Sequence, residues 1–298
     1  MNLYVGPAGW NYKDWEGIVY PSRKEKNFDP LAYLSRFFNA LEINSPFYRP
    51  PAVHAAKTWV ERVKSRGEFL FTYKLWQNYT HQRDQFPGGH EETRVKQGLD
   101  VLRENGRLGA LLIQFPWSFQ RSPENYNWLS KVLRLFKDYL PVVEIRHDSW
   151  NEPQFFELLS NAGAGFANID QPTVSHSIGL TNRYTSPTGY VRLHGRNAAN
   201  WFSESATVAS RYDYLYQPEE LTSIKTTIEA LFENNARTFI IFNNHYRGQA
   251  VANGLQMMHL FSNHLVAAPA ELVRFYPQLE SIARNVSTGG QVSLFGPS

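Results

Sequence analysis

Charged, amide and histidine side chains occur at the ends of most of the short apolar runs in this chain. Side chains of a strand alternate between its two faces, so residues two apart, such as Glu144 and Arg146 or Arg192 and His194, share a face. The polar residues at the run ends are Glu42, Asn44, Lys74, Gln114, Glu144, Arg146, Asp170, Arg192, His194 and Asn243. If the runs are parallel strands of one barrel, these side chains meet at its carboxyl-end mouth and could perform acid–base chemistry on an anionic ligand.

The candidate catalytic residues are Glu42, Glu144, Asp170 and His194. Beside Arg146, Glu144 is expected to stay ionised, whereas His194, close to Arg192 in sequence, is expected to be neutral and to act as a base. Glu42, if it is less well paired, would be the acid. The same residues could instead form a purely structural ion network at the end of the barrel interior, because buried charges need partners whether or not they act on a ligand.

Aromatic residues follow many of the same runs, and flat rings in such loops can stack on bases or sugar faces. Arginine side chains bind phosphate through two hydrogen bonds. The candidate substrate-binding residues are Trp10, Asn44, Tyr48, Lys74, His81, Gln114, Arg146, Trp150, Arg192 and Asn243. They favour a phosphate- or sugar-bearing ligand, which could be a nucleic acid. The alternative is that the aromatic side chains have a structural role and pack the loops against the barrel rim.

No metal or cofactor is predicted. Acidic and histidine residues at the run ends, His147 among them, could serve as ligands, but no short spacing motif is present and the interleaved Arg and Lys would repel a cation. The chain also lacks a Gly-rich phosphate loop and a nucleophile elbow. Barrel glycosidases of the commonest type place carboxylates after strands four and seven, where this chain has Gln114 and His194.

Eight apolar runs alternate with segments of helical spacing, which predicts an α/β protein with a parallel sheet. The runs are 3–9, 40–44, 69–74, 108–115, 141–146, 165–170, 190–195 and 238–244. The helical segments are 30–38, 53–63, 124–139, 152–162 and 218–235, and a further helix starts near 250. We expect a single (β/α)8 TIM-like barrel over residues 1–285, with an irregular connection at 171–189 after the sixth strand. Residues 286–298 are expected to form a flexible tail.

The composition limits the classes of protein. The chain has 298 residues, a formal net charge of +3 and no cysteine, which excludes disulfides and thiolate chemistry. No signal core and no apolar run of about 20 residues are present, so we expect a soluble, cytoplasmic protein without a membrane partner. The sequence does not predict an oligomeric state.

Several blocks of the chain resemble a known family. The segments GWNYKDWEGIVYP, LEINSPFYRP, GALLIQFPWSF, VEIRHDSW, YVRLHGR and FIIFNN occur in order over roughly residues 3–255. Together they resemble the YecE-like family of domains of unknown function. The resemblance implies a TIM-type barrel and no established activity.

The tail segment Gln291–Phe295, which lies between glycines, resembles the peptide by which bacterial replication and repair proteins bind the sliding clamp. Leu294 and Phe295 would enter an apolar pocket while Gln291 bonds at its rim. Docking of the same residues on their own barrel is the alternative.

The leading functional hypothesis is an enzyme, hydrolase-like, acting on a phosphate- or sugar-containing substrate at the barrel mouth. A non-catalytic nucleic-acid or nucleotide binder is the second hypothesis, and a glycan hydrolase is the third.

Overall fold

The computed structural model describes residues 2–173, 175–201 and 208–284. The barrel strands are β1 (Leu3–Pro7), β2 (Ala40–Ile43), β3 (Leu70–Lys74), β4 (Leu108–Gln114), β5 (Pro141–Glu144), β6 (Gly165–Asp170), β7 (Thr188–Leu193) and β8 (Arg237–Phe242). The α-helices are α1 (Pro30–Leu34), α2 (Val53–Arg62), α3 (Gly89–Glu104), α4 (Pro123–Leu135), α5 (Pro153–Asn161), α6 (Ala198–Trp201), α7 (Val208–Arg211), α8 (Pro218–Asn234), α9 (Gln249–Ser262) and α10 (Ala270–Phe275). Outside the barrel, β9 (Val266–Ala267) pairs in parallel with β10 (Ala283–Arg284).

Short 3-10 helices follow most of the barrel strands and shape the mouth. Those after barrel strands span Lys13–Trp15, Ser45–Phe47, Gln77–Tyr79, Asp148–Trp150 and Tyr246–Gly248, whereas Lys137–Tyr139 precedes β5 and Pro277–Leu279 follows α10. Within the described residues, no helix is both long and apolar enough to cross a membrane.

The eight strands form one parallel sheet in the order β1-β8-β7-β6-β5-β4-β3-β2. The sheet closes between β1 and β2 through a bridge at Ala8 and Glu42 and a hydrogen bond of 2.9 Å from the Gly9 N–H to the Glu42 carbonyl. The Asn39 side chain completes this seam, because it accepts from the Val5 N–H and donates to the Leu3 carbonyl. The predicted single α/β TIM-like barrel is therefore confirmed. The irregular connection after β6 is also confirmed, since the described part of 171–189 contains no helix.

The inner face of the barrel is recognisable because it forms its own buried cluster, separate from the layer between strands and helices. Its members are Ala8, Ala40, Ala110, Leu112, Val142, Ala167, Ile169, Tyr190, Phe239 and Ile241, with Tyr4 and Leu70 beside them. On β2, β3, β4, β5 and β7, the side chains that point into the barrel are those with even residue numbers. On β6 and β8 they are those with odd residue numbers. This parity decides which of the polar residues at strand ends enter the mouth.

The 16-residue helix α3 is absent from those predicted from the sequence, as are the short helices α6, α7 and α10. Its exposed face is rich in charge, which weakens its apolar periodicity. Val95, Leu99 and Leu102 nevertheless recur at helical spacing and are buried against the barrel.

The seam between β1 and β2 leads to a prediction about Gly6. A Cβ at this position would lie 1.8 Å from the Ala40 carbonyl oxygen, so the Gly6→Ala variant must push the two strands apart. We expect it to lower the free energy of unfolding by about 1–3 kcal/mol, or more if the seam opens, as measured by urea denaturation. Gly67→Ala is the control, because nothing lies within 4 Å of a Cβ there. Equal stability of the two variants would contradict this account of the seam.

Candidate functional site

A cleft of about 650 Å³ opens at the mouth of the barrel, displaced toward the ends of β1, β2, β3 and β8. It is lined by Gly9, Trp10, Asn11, Tyr12, Asp14, Asn44, Ser45, Phe47, Tyr48, Trp59, Lys74, Arg192, Tyr212, Asn243 and His245. The carboxyl ends of the strands form its floor and the loops that follow β1 and β2 form one wall. This is the face at which barrels of this type carry their sites.

Arg192, only 2% exposed, is held at the floor by two carboxylates. Its Nε and one terminal nitrogen donate to the two oxygens of Glu42 at 3.0 and 2.6 Å, and its other terminal nitrogen donates to Glu144 at 3.2 Å. The Tyr190 hydroxyl also donates to Glu42, at 3.0 Å. The side-chain oxygen Oδ1 of Asn243 accepts from Arg192 at 3.2 Å. The guanidinium is therefore fixed in one orientation.

Glu144 is ionised, as predicted. Burial opposes the charge on its carboxyl, but Arg192 and Arg146 outweigh burial and hold its pKa well below the ordinary value. Arg146 Nε donates to Glu144 at 3.0 Å. Glu42 is expected to be the acid only if it is less well paired, and this condition is not met, because Glu42 accepts two hydrogen bonds from Arg192 and one from Tyr190.

His194 is neutral, because burial and the nearby arginines lower its pKa to about 3 despite the opposing effect of Glu144. Its Nε2 lies 3.1 Å from a Glu144 oxygen, and its Nδ1 lies 3.2 Å from the Asn243 amide nitrogen. This pattern assigns the proton to Nε2, with Nδ1 as an acceptor. The histidine is fully buried and does not line the cleft, so it orients Glu144 and Asn243 and has no ring nitrogen directed at a ligand.

Lys74 ends β3 on the inner face and lines the cleft. Its Nζ lies 3.9 Å from the centre of the Phe47 ring, and within the described residues no carboxylate lies within ion-pair distance of it. Burial, followed by the charge of Arg192, lowers its pKa to about 7. His81 packs edge-on against Phe47 at 4.8 Å, and burial together with Lys74 lowers its pKa to about 3. Lys74 therefore exists partly as a free amine at neutral pH.

Aromatic rings form the walls of the cleft. Tyr12 stacks on His245 with ring centres 4.4 Å apart, and Tyr212 lies 5.2 Å from the same histidine. Trp10 packs edge-on against Trp59, and its ring belongs to the lining as predicted. Tyr48 is 70% exposed at the rim, where a ligand could stack on it.

Two buried polar atoms of the lining residues, Asn44 Oδ1 and His245 Nδ1, have no hydrogen-bond partner in the described part of the chain. An unpaired buried polar atom costs about 1–3 kcal/mol. Hydrogen-bonding groups of a ligand would remove this cost. Asn44 Oδ1 can only accept and therefore complements a hydroxyl donor, whereas His245 Nδ1 can accept from a hydroxyl or, when protonated, donate to a phosphate oxygen.

The prediction that Asp170 joins the mouth is wrong, because the side chains of β6 that face inward are Ala167 and Ile169. Asp170 points out of the barrel, where it pairs with Arg196 at 2.7 Å and accepts from the Tyr216 hydroxyl at 2.7 Å. The inward residue after β6 is Gln171, which donates to backbone carbonyls instead.

Four further predicted residues lie away from the cleft lining, and His81, which packs behind Phe47, is one of them. Trp150 is fully buried, stacked on Phe119 at 5.2 Å with its indole N–H donating to the Phe119 carbonyl, so its predicted contact with a ligand is wrong. Gln114 is also buried and donates to the Phe115 carbonyl at 2.7 Å. Arg146 stays half-buried beside Glu144. The structure therefore divides the predicted set into a buried network and a smaller group that reaches the cleft.

Several cleft residues were absent from the predicted site, namely Asn11, Tyr12, Asp14, Phe47, Trp59, Tyr212 and His245. His245 could have been found by continuing the inward parity of β8 two residues past Asn243. Phe47 lies between the predicted Asn44 and Tyr48. Tyr212 lies 20 residues past Arg192, and the sequence offers no local signal for its return to the mouth.

Within the described residues, His147, Asp148 and His176 form a group of potential metal ligands whose ligand atoms lie within 4.8 Å of one another. The group lies outside the cleft, with Asp148 and His176 exposed. His147 Nδ1 already accepts from the Ser149 N–H at 3.1 Å. The sequence predicts no metal here, and the cleft lining itself offers Lys74 and Arg192, which disfavour a cation.

The fold and the site define a TIM-like barrel with an aromatic-walled cleft over a buried arginine–carboxylate network. The chain belongs to the family described as "Protein of unknown function DUF72", whose model matches residues 4–273. The expected uncharacterised barrel family is thereby confirmed.

Three relatives illustrate the likeness. The UPF0759 protein YunF of Bacillus subtilis (strain 168) is 28% identical over 287 residues, covering 92% of this chain and all of YunF. The crystal structure of a DUF72 family protein from Thermotoga maritima MSB8 is 31% identical with a TM-score of 0.76, over 88% of this chain and 99% of that one. A DUF72 family protein from Enterococcus faecalis V583 shares the fold at 22% identity with a TM-score of 0.76, over 90% of this chain and 98% of that one.

Proposed function

We propose that this protein is an enzyme that acts on a small sugar- or phosphate-bearing substrate bound in the cleft, and that it is a YecE-like member of its family acting in the cytoplasm. The observation that carries the proposal is the pair of basic groups at the cleft floor. Arg192 is fixed by Glu42 and Glu144, and Lys74 lies nearby without a carboxylate of its own. A phosphate between the two would complete the charge balance of the floor.

The remaining lining fits such a substrate. Asn44 and Asn243 offer amide groups at the floor, and Trp10, Tyr12 and Tyr48 offer flat rings on which a sugar face can lie. The buried residues Glu42, Glu144 and His194 act through Arg192 and Asn243, so we assign them a positioning role rather than direct contact with substrate. Asp14 supplies a carboxylate on the cleft wall for acid–base or hydrolytic chemistry.

A thermal-shift screen tests the proposal. Inorganic phosphate, a hexose phosphate and a nucleoside monophosphate are the probes, and a ligand at 100 times its Kd should stabilise the fold by about 2.7 kcal/mol. We expect the shift to be lost in Asn243→Ala and Lys74→Met and kept in Lys57→Met, a change on the exposed face of α2. The absence of a shift with every probe, or equal shifts in all three variants, would contradict the proposal. Turnover of the probe that binds then tests the enzymatic part.

The second candidate is a non-catalytic nucleotide or nucleic-acid binder, favoured by the exposed Tyr48 ring beside Phe47 at the rim. In that case a single-stranded oligonucleotide binds without turnover, and Tyr48→Ala weakens the complex about 10- to 100-fold, as the loss of one stacked base predicts. A glycan hydrolase is less favoured by the geometry, because Glu42 and Glu144 both bond to one guanidinium and neither lines the cleft.

The proposed clamp-binding segment, with Gln291, Leu294 and Phe295, lies outside the described residues and remains a proposal from sequence. Fluorescence titration of a bacterial sliding clamp with the full chain and with Leu294→Ala/Phe295→Ala tests it. Binding by the intact chain and not by the variant would support a tethered role in DNA repair or replication. Equal binding by both, or by neither, would remove it.

A further inference from the structure

We propose that Lys74 forms an imine with the carbonyl carbon of an open-chain aldose or ketose, or of its phosphate, bound in the cleft. The inference rests on the proposed function, because it names the substrate class of the same cleft. It begins from the position of the amine. Lys74 ends β3 on the inner face, lines the cleft, and directs Nζ toward the Phe47 ring at 3.9 Å.

Among residues 2–173, 175–201 and 208–284, no carboxylate lies within ion-pair distance of the Lys74 amine. Glu42 on β2 and Glu144 on β5 are the nearest acids, and both are engaged by Arg192 on β7, with Arg146 also on Glu144. His81, beyond the end of β3, is neutral. Structural lysines are normally paired or solvated. The Nζ of Lys74 lies 3.9 Å from the centre of the Phe47 ring, a contact that by itself favours the ammonium form, whereas the charges of Arg192 and Arg146 disfavour it.

This environment is the one that activates a lysine as a nucleophile. Removal from water and neighbouring cations both disfavour the ammonium form, which agrees with the lowered pKa of about 7. Lys74 is then more readily deprotonated at pH 7 than an ordinary lysine, whose pKa is about 10.4.

The step balances without any further reagent. The Nζ lone pair adds to the carbonyl carbon while the carbonyl π electrons move to oxygen. One proton passes from nitrogen to that oxygen through solvent, which gives a carbinolamine. The nitrogen lone pair then expels the hydroxyl group with a second proton as water, and a C=N bond forms. Addition of water reverses the sequence and releases the amine. Asn44, Asn243 and Arg192 at the same floor are placed to hold the hydroxyl and phosphate groups of the sugar.

Reductive trapping in the intact protein tests the imine. The full chain is incubated at pH 7 with glyceraldehyde or with glyceraldehyde 3-phosphate in the presence of sodium cyanoborohydride, and peptide mass spectrometry locates the adducts. We expect Lys74 to be modified at least ten times faster than Lys64, whose side chain is 67% exposed. Faster modification by the phosphate ester than by the free aldehyde would assign a phosphate role to Arg192. Equal rates would leave the imine supported with an unphosphorylated sugar as its partner.

Two comparisons keep the result interpretable. Lys74→Arg keeps a positive charge without a nucleophilic amine, so it should lose the adduct; its folding is checked by circular dichroism. Competitive labelling of the unaltered chain with trace acetic anhydride between pH 6 and 10 measures the titration of Lys74 without any substitution.

The outcomes separate the two proposals. Modification of Lys74 no faster than of Lys64 would overturn the imine. If a sugar phosphate still stabilised the fold in the thermal-shift screen, the proposed function would survive that result. If no sugar or phosphate bound at all, both proposals would fall.

Discussion

Replacing Arg192 with methionine should lower the free energy of unfolding by about 3–5 kcal/mol, because the variant leaves buried carboxylates without their partner. Glu42 and Glu144 are both fully buried, and Glu42 has Arg192 as its only ion-pair partner among the described residues. Equilibrium denaturation in urea at pH 7 measures the loss. The variant should also weaken the binding of an anionic ligand in the cleft, because the guanidinium is part of the floor and the anion would lose its fixed contact.

The pH dependence of this variant should have the opposite sign to that of the intact protein. In the intact protein, Glu144 has a folded-state pKa below its unfolded value, so its stabilisation is complete above the unfolded pKa and is lost as the pH falls through the folded pKa. In Arg192→Met the burial of Glu144 is opposed by fewer charges, so we expect its folded-state pKa to rise above the unfolded value. The variant should therefore gain stability as the pH falls from 7 toward 5.

Two controls define the expectation. Arg103→Met removes an exposed ion pair with Asp100 and should cost no more than about 1 kcal/mol. The triple variant Glu42→Gln/Glu144→Gln/Arg192→Met removes both fully buried carboxylates together with Arg192 and should recover much of the lost stability, because Arg146, which loses Glu144, is less deeply buried. If Arg192→Met were as stable as Arg103→Met, the buried network would have no structural importance.

The sequence was sufficient to predict the barrel and the location of its mouth, because both depend on short-range patterns. Continuous apolar runs of strand length, separated by amphipathic helices, predict a parallel α/β sheet, and the resemblance to a barrel family favours a closed barrel over an open sheet. The residues Glu42, Glu144, Arg192 and Asn243 share the inner face because their strands end at equivalent depth. The parity rule applied to one strand at a time was enough to group them.

The parity rule failed for Asp170 for a physical reason. A strand buried on both faces is apolar on both, so the sequence GFANID does not show which alternate set faces the barrel axis. Only the pairing of β6 with its neighbours, which places Ala167 and Ile169 inside, assigns Asp170 to the outer face. Trp150 is a similar case, because a tryptophan after a strand can cover a ligand or lie beneath a loop.

The off-centre position of the cleft could not be predicted either. It depends on how the loop after β1 folds, with Tyr12 stacked on His245 from the far end of the chain. It also depends on Tyr212, which returns to the mouth from a long connection. Tyr12 and His245 are more than 200 positions apart, and their contact is set by the closed barrel, not by local sequence.

Lys74 leads to the last prediction, which is that Lys74→Met stabilises the fold at neutral pH while it removes the reactivity of the cleft. A partly buried amine without a carboxylate partner is a cost to the folded state, and methionine fills a similar volume without charge. We expect a gain on the order of 2 kcal/mol at pH 7, since part of the charge is screened by the open cleft. Urea denaturation at a series of pH values measures it.

The sign of the pH dependence follows from the two pKa values of the lysine. The folded-state pKa is about 7, and the unfolded-state value is about 10.4. Between them the unfolded chain binds a proton that the folded chain lacks, so raising the pH favours the folded state. The contribution of Lys74 is therefore most favourable above the unfolded pKa and falls as the pH decreases toward 7. The stability advantage of Lys74→Met should shrink steadily from pH 7 to pH 9.5.

Lys64→Met provides the matched control, because its amine is exposed and its removal should leave the pH profile of the intact protein unchanged. The tyrosines and the other lysines titrate in the same way in all three proteins. Any difference between the pH profiles of the free energy of unfolding therefore comes from Lys74. Parallel profiles for the intact chain and Lys74→Met would show that the amine keeps an ordinary pKa. In that event, Lys74 and Arg192 would both be permanent cations of the cleft floor. Lys74 would then contact a phosphate and would not form an imine.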